Sequence, residues 1–277
     1  VSATTSASLT VSFTSSTAGV CTISGTTVTI LSAGTCTLNA DQSGNATYLA
    51  ATQVQQSFEV TQKSQNSLSV GATTTSAAYN GSAYTAVPSF ATSGGSGTGA
   101  VTYSVTGGTA SGCALSTSAA NATLTATSVG TCLITATKAS DTNYLSATTA
   151  TPLTFTFTAS TQTITFSAPS NKTYGDLAFT VSPTASSSLT VVLASTTTSV
   201  CTVSSFTVTI VAPGTCTLTA DQSGDSSFSA ATQVSRSFTV AQAAQATLTI
   251  SATTTSATST GTAFTATPTF TTGSSGS

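Results

Sequence analysis

Apolar and polar residues alternate with period two along much of this chain. In Phe206-Thr-Val-Thr-Ile210, the residues Phe206, Val208 and Ile210 fall on one side and the threonines on the other, the pattern of a half-buried strand. After a turn signal at Ala212-Pro-Gly214, Cys216, Leu218 and Ala220 continue the alternation. Ile164 with Phe166, then Leu189, Val191 and Leu193, then Phe238 and Val240 supply further inward positions. Arg236 shares the inward parity, so a bulge or a frayed strand start is expected there rather than a buried charge. A hairpin through Ala212–Gly214 sets Ile210 opposite Cys216 and leaves Cys201 beyond that strand. No segment carries an apolar stripe of helical period. Many short strands separated by turn signals predict an all-β chain of two-sheet sandwiches.

The pattern repeats. Residues 21–60 and 201–240 align without a gap at an offset of 180, and 25 of the 40 aligned residues are identical. Val1 aligns with Val181 and Leu9 with Leu189 at the same offset. A second kind of module is whole in 62–160, and its opening, QNSLSVGATTTSAAYNGSAYTAVPSF at 65–90, returns as QATLTISATTTSATSTGTAFTATPTF at 245–270. The expected order is therefore 1–61 partial type A, 62–160 type B, 161–242 type A and 243–277 partial type B. Modules of this size suit single sandwich domains. Both types place an aromatic twelve residues after a cysteine: Tyr48 after Cys36, Tyr144 after Cys132, Phe228 after Cys216. One fold used twice is the simplest reading. Short linkers, Thr61–Ser64 and Ala241–Ala244, then predict modules end to end with limited swing.

Composition narrows the function. Lys and Arg number 4, Asp and Glu 6, the net charge is −2, and His, Met and Trp are absent. Such a chain has no basic face for nucleic acid and no polybasic face for a membrane. No apolar run is long enough to cross a bilayer as a helix, so no membrane insertion is expected of this segment. The cysteines fall into local pairs, Cys21 with Cys36, Cys113 with Cys132, Cys201 with Cys216. One pair per module reads as a disulfide and an oxidising, extracellular location; the alternative is a pair of small buried thiols. If bonded, the pair is expected to cross between sheets. Without histidine or Cys-x-x-Cys, a zinc site is not expected.

Candidate chemistry is sparse. Serines are many, but a base could come only from Lys63, Lys138 or Lys172, so neither catalytic residues nor a cofactor is expected. Asp221 with Asp225, matched by Asp41 with Asn45, could form a weak cation loop; a β-turn with Gly224 at positive φ is the stronger reading. Tyr174-Gly-Asp176 reads as a turn with a core aromatic. The run Ser93–Gly99 lacks the lysine and the following helix of a phosphate loop and reads as a flexible loop. Four sequons, at Asn45, Asn80, Asn121 and Asn171, are expected by chance in so threonine-rich a chain. Clustered exposed Tyr79, Tyr84 or Tyr103 would favour sugar binding.

From QTITFSAPSNKTYGDLAFTVSPTASSSLTV through SVCTVSSFTVTIVAPGTCTLTADQSGDSSFSAATQVSRSFTV, type A resembles the bacterial immunoglobulin-like repeats that carry a KTYGD signature. Type B, with SGGSGTGAVTYSV, SGCALS and LTATSVGTCLITATKASDTNYLSA, resembles a sister repeat. The resemblance implies immunoglobulin-like sandwiches in long secreted or surface-anchored bacterial proteins, acting mostly as spacers without catalytic residues. The first module departs from it in lacking a KTYGD segment.

The reading is an extracellular structural repeat protein, the rod or filament of a surface adhesin or fibre. A carbohydrate- or surface-binding adhesin module and a virion fibre or decoration domain are the alternatives. Low charge leaves edge strands unguarded, so self-association into a fibre or lateral bundle is expected. Residues 1–20 open a type A module without the strand that bears Ile164 and Phe166 in the complete copy, and 245–277 match only 65–97. Such pieces need completion, by a longer chain (the favoured account) or by strand donation from a neighbouring copy.

Overall fold

The computed structural model describes residues 1–245, 250–252 and 270–272. Every regular element is a β-strand, as the period-two alternation predicts. Contacts divide the chain into two compact units. One is Val1–Thr161 with Gly224–Ser229; the other is Gln162–Ser223 with Ala230–Ser277.

The second unit shows the complete pattern. Its larger sheet runs in the order Lys172–Thr173, Val234–Ala241, Gly214–Asp221, Val192–Ser195. The first pairing is parallel and the others antiparallel. The facing sheet is Phe179–Thr180, Thr207–Ile210, Cys201–Ser204, and Ile164–Thr165 pairs with Thr184–Ala185 beside it. This is an immunoglobulin-like sandwich topology. Ile164, Phe166, Val191, Leu193, Val208, Leu218, Ala220, Phe238 and Val240 are buried between the sheets, with Cys201 and Cys216.

In the first unit, residues 62–160 repeat the topology. The strands Val101–Gly108, Gly130–Lys138, Leu153–Thr158 and Ser76–Ala78 form one sheet; Ala114–Leu115, Leu124–Ala126 and Tyr84–Ala86 form the other. Phe155, Phe157, Leu124 and Ile134 fill the core at no more than 1% exposure. Residues 1–61 hold only part of it: Ser12–Ser15, Gly34–Asp41 and Val54–Val60 in one sheet, Cys21–Ser24 and Thr27–Ile30 in the other. Most of the expected module at 243–277 lies outside the described residues. Its described backbone pairs Ile250 with Thr272 and Ala252 with Phe270, the register of Val70 with Thr92 and Ala72 with Phe90 moved by 180.

Disulfides join Cys21 to Cys36, Cys113 to Cys132 and Cys201 to Cys216, with Cα atoms 5.7, 5.8 and 5.7 Å apart. Cys201 and Cys216 lie on opposite sheets, so that bond crosses the core. The expected partner of Ile210 is corrected: Ile210 faces Cys201, and Cys216 faces Phe238. Ala212–Gly214 is a crossing from one sheet to the other, not a hairpin. Three further expectations change. The ladder beside Arg236 is continuous from Gly214 opposite Val240 to Ala220 opposite Val234, with neither bulge nor fraying. Arg236 instead reaches out of the sheet, its Nε donating to Phe166 O at 2.8 Å. Phe206 sits in the turn before its strand and is 36% exposed, because Ser205 at φ 54° ends the alternation one residue early. Leu189 precedes its strand and is only half-buried.

The 15-residue span between Cys201 and Cys216 sets the expected worth of that bond. Replacing both cysteines by alanine should lower stability by about 3 kcal/mol, seen as a lower denaturant midpoint for the second unit with an unchanged strand content by circular dichroism.

Candidate functional site

The most repeated polar feature is a four-residue turn. Asp141 Oδ1 accepts the N–H groups of Asn143 and Tyr144, each at 2.9 Å, while its own N–H donates to Tyr144 O at 3.0 Å. Asp225 Oδ1 does the same with Ser227 at 2.7 Å and Phe228 at 2.8 Å, and Asn45 Oδ1 with Thr47 at 2.8 Å and Tyr48 at 2.9 Å. A short acceptor side chain that bonds the backbone two and three residues on nucleates such a turn without help from the core. Gly44 and Gly224 enter it at φ 76° and 77°. At Gly44 a β-carbon would collide with the carbonyl of Tyr48.

Two of the three turns close on an extended linker. Lys63 N–H donates to Asn143 O at 2.9 Å, and Leu145 N–H donates to Lys63 O at 3.0 Å. In the same way Ser160 N–H donates to Ser227 O and Ser229 N–H to Ser160 O, both at 2.8 Å. Each is a parallel bridge, Lys63 beside Tyr144 and Ser160 beside Phe228. Side chains reinforce both. Ala33 N–H donates to Asn143 Oδ1 at 2.8 Å. Phe228 meets Tyr79 edge-on at 5.5 Å, Tyr79 packs on Tyr84 at 5.1 Å, and the Tyr84 hydroxyl donates to Ser226 O. The residues of both joints belong to the first unit. The third turn differs: Tyr48 is 53% and Leu49 95% exposed.

The other candidates fall into place around this feature. Asp221 accepts Gln233 Nε2 with both oxygens, at 2.8 and 3.0 Å, while Asp225 serves its turn. Among the described residues no three His, Cys, Asp or Glu side chains gather as a metal site. Lys63 lies in a joint, Lys138 ends a strand, and Lys172 Nζ stands 4.7 Å over the Phe179 ring. Tyr84 and Tyr103 are 4% and 6% exposed, Tyr103 stacked on Phe90 at 5.2 Å, so they form no open aromatic face. Tyr174-Gly-Asp176 is a turn, with Asp176 Oδ2 accepting Thr173 N–H at 2.9 Å. Its aromatic is 49% exposed, which corrects the expected core position. Asn171 Oδ1 accepts Thr239 N–H at 2.9 Å.

Ser93–Gly99 is more ordered than expected. Gly94 ends a strand opposite Leu68. Asp141 Oδ2 then accepts Thr98 N–H at 2.6 Å, and Gly97, at φ 72°, has room for no side chain against that carboxylate. Sequence reasoning missed this clasp. Its signal was the alignment of Asp141 with Asn45 and Asp225, which marks the turn but not its second partner. The N–H groups of Thr98, Asn143 and Tyr144 hold the Asp141 carboxyl below its ordinary value of 3.8.

No protein-family model matches this chain, and no curated protein matches it. Among solved structures, protocadherin gammaB7 EC3-6 matches with 16% identity over 88% of this chain and 69% of its own, at a TM-score of 0.31. Mouse cadherin-23 EC22-24 gives 14% identity, 84% and 86% coverage, and a TM-score of 0.33. Domains 1-6 of the surface layer protein SbsC give 18% identity, 88% and 37% coverage, and a TM-score of 0.29; the chain spans little over a third of that fragment.

A carboxyl whose value is lowered in the folded state contributes stability that is complete above its unfolded value. The contribution is lost as pH falls through the folded one. Nuclear magnetic resonance titration should place the Asp141 midpoint below 3.8. Asp141→Asn, whose amide oxygen can still make the turn as Asn45 does, should show less loss of stability than the natural chain on acidification below about pH 4. A midpoint at or above 3.8 contradicts the clasp.

Proposed function

We propose that this chain is a stretch of an extracellular structural array, in which immunoglobulin-like modules at 1–61, 62–160, 161–242 and 243–277 act as spacers of a rod or fibre. The observation that carries this reading is the repeated joint. The same turn, built by Asp141 and by Asp225, grips a linker backbone at Lys63 and at Ser160. A linker hydrogen-bonded on both its N–H and its C=O has lost the freedom of a tether. Buried disulfides in each cysteine-bearing module support an oxidising exterior. The KTYGD-type resemblance of 161–242 supports a bacterial surface protein, and threonine-rich faces with little charge support association between such rods. The burial of Tyr84 and Tyr103 favours the spacer over the carbohydrate-binding reading.

Small-angle scattering tests the rod. A compact globule of this length has a radius of gyration of about 19 Å; the chain should give a clearly larger value and a distance distribution with a long tail. Gly substitution of Asp141 should broaden that distribution by freeing the Lys63 linker. A radius near the globular value defeats the reading.

A further inference from the structure

Residues 1–61 carry an open groove, and the second type A copy shows what fills its equivalent. In that copy Ile164 and Phe166 are 9% and 4% exposed, in one cluster with Val191, Leu193, Leu218 and Ala220. Ile164 pairs with Ala185 and Thr165 with Thr184. Thr163 O accepts Ser186 N–H at 2.9 Å, and Gln162 Nε2 donates to Gln222 Oε1 at 2.5 Å. At positions 180 lower, Val11, Phe13, Leu38 and Ala40 instead line a groove of about 600 Å³, with Thr4 and Thr5 on its rim. The consequences reach the whole half-module. Its core shrinks to Cys21, Cys36 and Leu38. Phe58 is 43% exposed where Phe238 is 3%, and Val54 is 57% exposed where Val234 is half-buried. Asn39 Oδ1, in the groove lining, is buried without a hydrogen-bond partner.

A second feature points to the same occupant. The turns at Asp141 and Asp225 each hold a linker residue, whereas the turn at Asn45 presents Tyr48 and Leu49 to solvent. In the complete copy the gripped residue, Ser160, lies four residues before Ile164. One extended segment therefore serves both places: its start lies along Thr47–Leu49, and its apolar alternate residues enter the groove. We infer that residues 1–61 form a strand-acceptor site, and that its ligand is a segment with the pattern Ser-Thr-Gln-Thr-Ile-Thr-Phe of 160–166, supplied by a preceding stretch of the array. The strand lies antiparallel to Thr4–Thr5. Main-chain hydrogen bonds give affinity, and the two apolar side chains give register. A second copy of this chain is a poorer donor, because its own Ile164 and Phe166 are already buried.

The inference rests on the module correspondence of the proposed function. The probe is a fluorescent peptide of residues 158–180 added to the 277-residue chain, followed by anisotropy. Saturable binding is expected, at least tenfold weaker for peptides with Ile164→Asp or Phe166→Asp. Hydrogen exchange should show new protection at Thr4–Thr5 and Thr47–Leu49 in the complex. No binding, equal binding of a scrambled peptide, or protection elsewhere overturns the site. Concentration-dependent association of the chain that blocks the peptide overturns the assigned source in favour of a second copy. An extended particle that does not bind the peptide refutes the groove and leaves the rod; a compact particle that binds it does the reverse.

Discussion

Two sheets that share no hydrogen bonds are held together only by what lies between them. In the second unit that is a buried disulfide among Val208, Leu218, Phe238 and their neighbours. The bond ties Cys201 at a sheet edge to Cys216 in the middle of the opposite sheet. Several of the strands it secures are only two residues long, and such strands add little pairing of their own. The covalent link therefore restricts the unfolded chain where the apolar core is small. The dependence is plainest in residues 1–61, where the two half-cystines are most of the buried cluster.

With its core stapled, the chain can leave its outer faces uncharged. Cross-strand hydroxyls satisfy one another instead: Thr37 with Ser57 and Thr217 with Ser237 at 2.8 Å, Ser69 with Ser93 at 2.7 Å, Thr137 with Thr148 at 2.8 Å. Such pairs stabilise a pleated face modestly and, being neutral, are indifferent to salt. The same neutrality removes the charged side chains that usually keep sheet edges apart. Association between rods and resistance to ionic conditions follow from one choice of residue.

Much of this was legible because period-two alternation and the 180-residue repeat report the same physics twice. Leu218, Ala220, Phe238 and Val240 are buried as their parity requires, and the crossing of the disulfide followed from the position of Cys201. Parity failed where the backbone left the strand: Phe206 lies past a positive-φ serine, and Tyr174 lies in a turn whose glycine has φ 96°. It also failed for strand pairing. A Pro-Gly turn between two strands reads the same whether it makes a hairpin or crosses between sheets, and only long-range packing decides. The Asp141 clasp on Thr98 was hidden for that reason, its partners standing 43 residues apart. The Asx turn itself is local and was readable.

Comparison of the two type A copies refines what the acceptor groove will take. Val11, Leu38, Ala40 and Val54 have close or identical counterparts in Val191, Leu218, Ala220 and Val234, so the floor is preserved. The differences sit at the rim and one wall. Gln56 replaces Arg236, whose Nε bonds the carbonyl of Phe166; a glutamine amide still offers a donor, but a shorter and uncharged one. Phe13 replaces Leu193, adding volume to a wall that Ile164 and Phe166 line in the complete copy. Close packing penalises added volume as well as lost volume. The natural strand for this groove should therefore keep the apolar alternation of Ile164 and Phe166 but carry a smaller residue against Phe13. A peptide with Ile164→Val or Phe166→Leu should then bind residues 1–61 at least as well as the unaltered sequence, although either change would weaken the second unit's own core. Weaker binding of both variants would mean that the first groove is a plain copy of the second.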